Sequence, residues 1–203
     1  MSEVTDWKTP GTCANVDRDG KMPWVNPDYA KISNNFCAGS SVAEEDYSDW
    51  LRCTNFGFTT DDVPNGATIV GIEVKIERKA DFADFLKDSA VYLRDSVDRT
   101  GDNKATATLW PESDTEETHG ASDDDWNAEL SDADIRDSSF GVDISAYNTW
   151  DVDNISALID CVSIRVHYTT GAAGWAGKIS GVVNPAKVMG VAVASIKSIK
   201  GVE

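Results

Sequence analysis

The clearest pattern in the chain is an alternation. In ATIVGIEVKIER (67–78), Val70, Ile72, Val74 and Ile76 fall on one side, and Gly71, Glu73, Lys75 and Glu77 on the other. A period of two is that of a half-buried β-strand. CVSIRVHYTT (161–170) repeats it, with Val162, Ile164, Val166 and Tyr168 sharing a face. WLRCTNFGF (50–58), DSAVYLRD (88–95, Val91 and Leu93 inward), ATATLW (105–110) and SSFGVDISAY (138–147) read as further strands. A turn, DDVPNGAT, leads from WLRCTNFGF into ATIVGIEVKIER: Pro64 presets φ and Asn65-Gly66 supplies positive φ. Residues 80–88 suit one helical turn or a bulged loop, and 111–134 read as a long acidic loop. Ser131 and Asp153 are placed to cap short helical turns at 131–136 and 153–159. No long helical period appears.

Six to eight strands within about 120 residues, with Gly, Asn and Asp between them, predict an all-β chain: an antiparallel β-sandwich or jelly roll. The sandwich is expected over 49–170. Residues 1–48, rich in Pro, Asn, Asp, Gly and Ser, read as a loop-rich segment packed on that body. GAAGWAG (171–177) is a small-residue linker, and a different kind of sequence follows it.

That tail, KISGVVNPAKVMGVAVASIKSIKGV (178–202), contains no Asp or Glu and states one phrase three times. Ile179-Ser-Gly-Val182, Val188-Met-Gly-Val191 and Ile199-Lys-Gly-Val202 recur after nine and then eleven residues. The spacing is too irregular for a solenoid, and three short repeats bury no core alone. Lys, Gly and Asn-Pro exclude a membrane span. Val, Ile and Ser favour extended chain, and the glycines oppose helix. The tail is therefore expected to be an assembly arm that adds as a strand to the sheet edge of a neighbour. Its apolar contacts would be Ile179, Val182, Val188, Val191, Ile199 and Val202, with Lys178 and Lys187 supplying charge. The plainer alternative is a terminus that docks on its own domain.

Charge sharpens this picture. The chain of 203 residues carries a net charge of −17, yet its last 33 residues hold four Lys against one Glu. A cationic tail on an anionic body suits docking between copies. The same charge argues against nucleic acid and against an anionic membrane surface. The polar, acidic start MSEVTDWKTP does not read as a signal peptide. Cys13, Cys37, Cys53 and Cys161 form no CxxC pair and read as free thiols.

Catalytic chemistry is sparse. The chain has two histidines, His119 in a turn-rich loop and His167 on a strand, and lacks HExxH, GxSxG, P-loop and GxGxxG motifs. No catalytic residue, metal ligand or cofactor is assigned, and an enzyme is not expected. Acidic runs such as Asp123-Asp124-Asp125 offer oxygen ligands of the kind calcium takes, but none fits a DxDxDG loop. A solvated acidic surface is the simpler reading. Of the seven tryptophans, Trp24, Trp110 and Trp126 lie beside Pro or acidic loops and are the candidates to stack on a surface glycan.

One stretch carries a resemblance. NFGFTTDDVPNGATIVGIEVKIERKA, followed by AVYLRD, KATATLWP, THGASDDDWNAELSDADIRDSSFGVDISA and CVSIRVHY, spans most of 50–168 and resembles tailed-bacteriophage virion proteins of undefined role. MPWVNPDYA looks like the opening of such proteins, and the tail looks like their KIxGVxNPAKVxGV endings. The resemblance implies a structural or accessory virion protein, made in the host cytoplasm, with a jelly-roll-like body. The expected role is an oligomer decorating the head or tail surface, with itself and other virion proteins as partners. The alternative is a tail-fibre or host-attachment module that binds surface glycan.

Overall fold

The alternation at 67–78 forms the middle of a five-stranded antiparallel sheet. The computed structural model describes residues 2–151 and 153–171, and the backbone of 178–179, 182–183, 187–188 and 191–192. The strands of the body are β1 (Ser2–Val4), β2 (Thr12–Val16), β3 (Ala38–Val42), β4 (Trp50–Thr54), β5 (Thr68–Ala80), β6 (Leu86–Arg94), β7 (Arg99–Thr100), β8 (Thr115–Ala121), β9 (Gly141–Asn148) and β10 (Ile155–Thr169). A 3-10 turn (Pro27–Ala30) and one helix, α1 (Asp132–Arg136), complete it. The first sheet runs β1-β10-β5-β8, with β3 also on β10; the second runs β2-β4-β9-β6-β7. All pairings between these strands are antiparallel, and the two sheets face each other across the core. The body is an all-β sandwich.

Side-chain alternation assigns the faces. Ile72, Val74 and Ile76 of β5 meet Val162, Ile164 and Val166 of β10 in the core, all without exposure. From the second sheet come Leu51, Cys53, Val91, Leu93, Val142 and Ile144. Burial of each large aliphatic side chain contributes roughly 1.5–3 kcal/mol.

Bulges reset the phase. The register of β10 on β5 shifts between Ile159 and Cys161, so Ala157 and Ile159 face inward before the bulge, and Val162 and Ile164 after it. The extra residue, Asp160, is buried and accepts the amides of Asn34 and Asn35 at 3.1 and 3.0 Å. A second shift sets Tyr168 opposite Ile69, so Val70 stands only half-buried rather than on the core face expected of it.

Other expectations need correction. ATATLW is no strand: only Leu109 makes a β-bridge, to Lys87. Residues 111–134 are not one loop, because β8 pairs with β5 over Thr115–Ala121. Residues 153–159 are not a helical turn but the start of β10, where Ile155 faces Val42 across the ladder. The turn at 131–136 forms as expected. Ser131 caps α1 and shares a reciprocal capping box with Asp134, seating Ile135 in the core.

In the tail, Lys178–Ile179 pairs with Val182–Val183, and Lys187–Val188 with Val191–Ala192. The first two repeats thus each pair with themselves, and among the described residues no tail strand pairs with either sheet of the body.

Candidate functional site

The three tryptophans expected to stack on glycan are interior residues. Trp24, Trp110 and Trp126 are 3%, 0% and 0% exposed. Each indole N–H is taken up inside: Trp24 Nε1 donates to Asp49 O (2.9 Å), Trp126 Nε1 to Ile72 O (2.8 Å) and Trp110 Nε1 to Asp88 Oδ1 (3.0 Å). A buried indole is stable when its N–H is satisfied, and a Pro or acidic neighbour does not prevent burial.

Between the sheets lies a buried polar cluster. Arg78 of β5 faces inward and pairs with Asp88 of β6. Asp88 also accepts Thr106 N at 3.0 Å and Thr106 Oγ1 at 3.2 Å. His119 lies beside it, with Nδ1 3.0 Å from Lys104 O and Nε2 3.9 Å from Asp88 Oδ2. Burial pushes the His119 imidazole below the usual histidine range, so it is held neutral. The cluster is closed to solvent and holds the sheets in register. His167, on the outer face of the first sheet, reaches Glu73 Oε2 at 2.6 Å, and Arg165 reaches the same oxygen at 2.5 Å. Among the described residues no group of three or more His, Cys, Asp or Glu converges as a metal site. Asp124 of the acidic run pairs with Lys104 at 2.9 Å.

Cys13 and Cys53 are direct cross-strand partners in the core. All four cysteines are free, and burial pushes the Cys161 thiol up to about 11.

The outer face of the second sheet differs from the rest of the surface. Leu51, Cys53, Val142, Ile144, Val91 and Leu93 point inward, so Trp50, Arg52, Asp143, Tyr147, Tyr92 and Arg94 project outward. The ladder places Arg52, Asp143 and Tyr92 side by side across β4, β9 and β6. Asp143, fully buried, accepts Arg52 Nε at 2.9 Å and Nη2 at 2.8 Å, a bidentate pair. Arg99 Nη1 stands 3.4 Å from the same carboxylate and Arg94 Nε 3.6 Å from it. Arg94 and Arg99 are also cross-strand partners, a like-charge juxtaposition that only a shared anion relieves.

From this cluster cations and rings interleave across the face. The guanidiniums of Arg99 and Arg18 lie 4.4 and 4.5 Å from the Trp50 ring centre. Arg18 lies 4.7 Å from the Tyr47 ring, Tyr47 sits 4.9 Å from Tyr147, and Lys87 stands 5.4 Å from Tyr147. Arg18 Nη1 donates to the hydroxyls of Ser89 (2.9 Å) and Ser145 (2.6 Å), not to a carboxylate. Burial, with Arg99 nearby, holds the Arg18 guanidinium below the usual arginine range; burial and Arg52 do the same to Arg94. Sequence reasoning missed this face. Its signal is the outward half of each alternation, Trp50-x-Arg52, Tyr92-x-Arg94 and Asp143-x-Ser145-x-Tyr147; Arg18 arrives from a loop and leaves no periodic trace.

A second feature is apolar. Val25, Tyr29, Ile32 and Phe36, in the connection from β2 to β3, are 60%, 45%, 61% and 63% exposed, and Tyr29 and Phe36 touch with ring centres 5.8 Å apart.

Of the arm residues, Lys178, Ile179, Val182, Lys187, Val188 and Val191 fall on the paired tail strands, while Ile199 and Val202 lie outside the described residues. Among those residues no helix is long and apolar enough to cross a membrane.

No protein-family model and no curated protein matches the chain. Solved structures that show a distant likeness include two carbohydrate-binding modules. One is the CBM36-1 domain of a multidomain xylanase from the hindgut metagenome of Trinervitermes trinervoides (TM-score 0.33, 12% identity, covering 82% of this chain and 96% of that one). The other is CBM29_1, a family 29 carbohydrate-binding module from Piromyces equi (TM-score 0.33, 11% identity, covering 83% and 91%). A TM-score of 0.33 is too low to mark a shared topology.

Proposed function

We propose that the chain is a non-catalytic structural module of a tailed-phage particle, displayed on the head or tail surface. The observation that carries this reading is the apolar stretch Val25, Tyr29, Ile32 and Phe36, standing in water on a body of strong negative charge. Large apolar side chains exposed on one connection, with Tyr29 and Phe36 in contact, mark a protein contact. Mutual repulsion disfavours a second free body as its cover, so the occupant is a different virion protein. The tail links neighbouring subunits. Co-sedimentation of the full chain with purified particles tests the docking. The double variant Ile32→Asp/Phe36→Asp is expected to lose about tenfold in binding at unchanged thermal stability, as loss of apolar anchors does. Undiminished co-sedimentation of that variant refutes the docking surface. Native mass spectrometry of the full chain against residues 1–170 tests the tail, with oligomers expected only from the full chain.

A second reading, a tail-fibre or host-attachment module that binds surface glycan, is supported by the cation–aromatic face of the second sheet.

A further inference from the structure

The second sheet holds two thiols on one rung. Cys13 of β2 and Cys53 of β4 are direct cross-strand partners, so their side chains leave the sheet on the same face, and both lie in the core. The rung is of the open kind, with no main-chain hydrogen bonds between its two residues. Cys13 N donates to Asp28 Oδ1 at 3.3 Å, away from β4. The Cys53 carbonyl points the other way, toward β9, where a Cβ on Gly141 would run into it. Opposed Cα atoms on such a rung lie about 4.5 Å apart, the closest that antiparallel strands bring two side chains. A disulfide spans roughly 4.4–6.8 Å between Cα atoms, so the backbone already has the separation that the bond needs. Burial first, and a hydrogen bond with the Cys13 thiol next, hold the Cys53 thiol well above the usual cysteine range; the second cause places the two sulfurs in contact. Neither of the other cysteines faces a cysteine. Cys161 stands opposite Glu77 and Lys31, and Cys37 lies in the connection before β3.

We propose that Cys13 and Cys53 are an oxidation site: a small-molecule disulfide such as oxidised glutathione closes them into a cross-strand disulfide that staples β2 to β4. The step is thiol–disulfide exchange. The Cys13 thiolate attacks one sulfur of the glutathione disulfide and releases one glutathione thiolate. Cys53 gives up its proton and displaces the second glutathione from Cys13. The two thiols lose two protons and two electrons, and the glutathione disulfide leaves as two glutathione thiols. Cys13 is the entry point because of where it sits. β2 is the edge of its sheet and pairs only with β4, whereas β4 is held between β2 and β9. An edge strand opens locally at lower cost than an inner one. The raised Cys53 thiol keeps the reduced pair slow to react, so a brief exposure to oxidant leaves it open. The bond closes a loop over residues 14–52, which contains Val25, Tyr29, Ile32 and Phe36. Cys13 N already holds Asp28, the neighbour of Tyr29. The staple therefore lies at the base of the exposed apolar stretch. A reducing cytoplasm keeps the pair open, and an oxidising surrounding closes it.

The test incubates the folded full chain with oxidised glutathione near pH 8, close to the free-thiol pKa of about 8.5. Remaining thiols are then alkylated, and the peptides are mapped by mass spectrometry. The expected product is a Cys13–Cys53 link, formed over hours and undone by dithiothreitol in the unfolded chain. Closing a loop of this length is expected to raise the melting temperature by about 10 °C. The double variant Cys37→Ala/Cys161→Ala keeps the pair and is expected to show the whole shift, while Cys13→Ala shows none. If Cys13→Ala does not fold, the peptide map of the double variant decides alone. Cys13 and Cys53 that both stay open to alkylation after unfolding overturn the site, as does glutathione captured at Cys37 or Cys161 with the pair untouched. A rise in melting temperature in Cys13→Ala assigns the effect to another cysteine and overturns it too. A Cys13–Cys53 link that leaves the melting temperature unchanged or lowers it overturns the staple.

Discussion

Asp88 and Asp143 are both buried and both answered by arginine, but on opposite faces of one sheet. Asp88 faces inward and finds one Arg, one indole N–H and Thr106, so its charge is fully engaged. Asp143 faces outward and is outnumbered. Removing one partner of a buried pair costs about 3–5 kcal/mol, because the other is left charged and dry. The same cluster carries a pH dependence through His119. Burial is the main cause of its lowered pKa, and Arg78 adds to it, opposed by Asp88, the Lys104 carbonyl and Glu117. The unfolded chain then binds a proton that the folded chain refuses, so stability is whole above the unfolded value of about 6.5 and declines as pH falls below it. Urea unfolding from about pH 7.5 to pH 5.5 is expected to show this decline in the wild type and a flatter profile in His119→Gln. Equal slopes would show that His119 is not the group responsible.

At the scale of elements, bulges and close strand approaches decide which residues reach the surface. The register shift between Asp88 and Ala90 puts Asp88 in the core, yet leaves Tyr92 and Arg94 outward on the same strand. Gly141 opens β9 where β4 passes close: a Cβ there would run into the carbonyl of Cys53. Gly141→Ala is expected to force β4 and β9 apart and cost about 2 kcal/mol or more, within the range of overpacked cores. Because Arg52 and Asp143 sit two positions along that ladder, the variant should also weaken the bidentate pair. Denaturant unfolding measures the first effect; an unchanged midpoint would show that the strands accommodate the methyl.

For the whole molecule, charge is the dominant property. A chain of −17 is pushed toward the unfolded state by its own field. Moderate NaCl screens that field more than it weakens exposed ion pairs, which contribute only about 0–1 kcal/mol each. The melting temperature is therefore expected to rise by a few degrees between low salt and about 0.5 M NaCl. A melting temperature that drops with salt would mean that surface ion pairs outweigh the net repulsion.

Much of the architecture was legible in the residues. Alternation in 72–76 and 162–168 defined core faces, Ser131 marked a helix start, and the turn residues separated the strands, because these are local effects with a short period. The chain also declared its own charge asymmetry and the repeating phrase of its tail. Tertiary structure decided the rest. Trp24, Trp110 and Trp126 looked like surface residues, but each had a partner for its N–H that is distant in sequence. β8 hid in an acidic loop, since its polar residues needed β5 to become a strand. The cation–aromatic face joins residues from 18 to 147, and no local pattern can foretell which outward side chains a sheet will set beside one another.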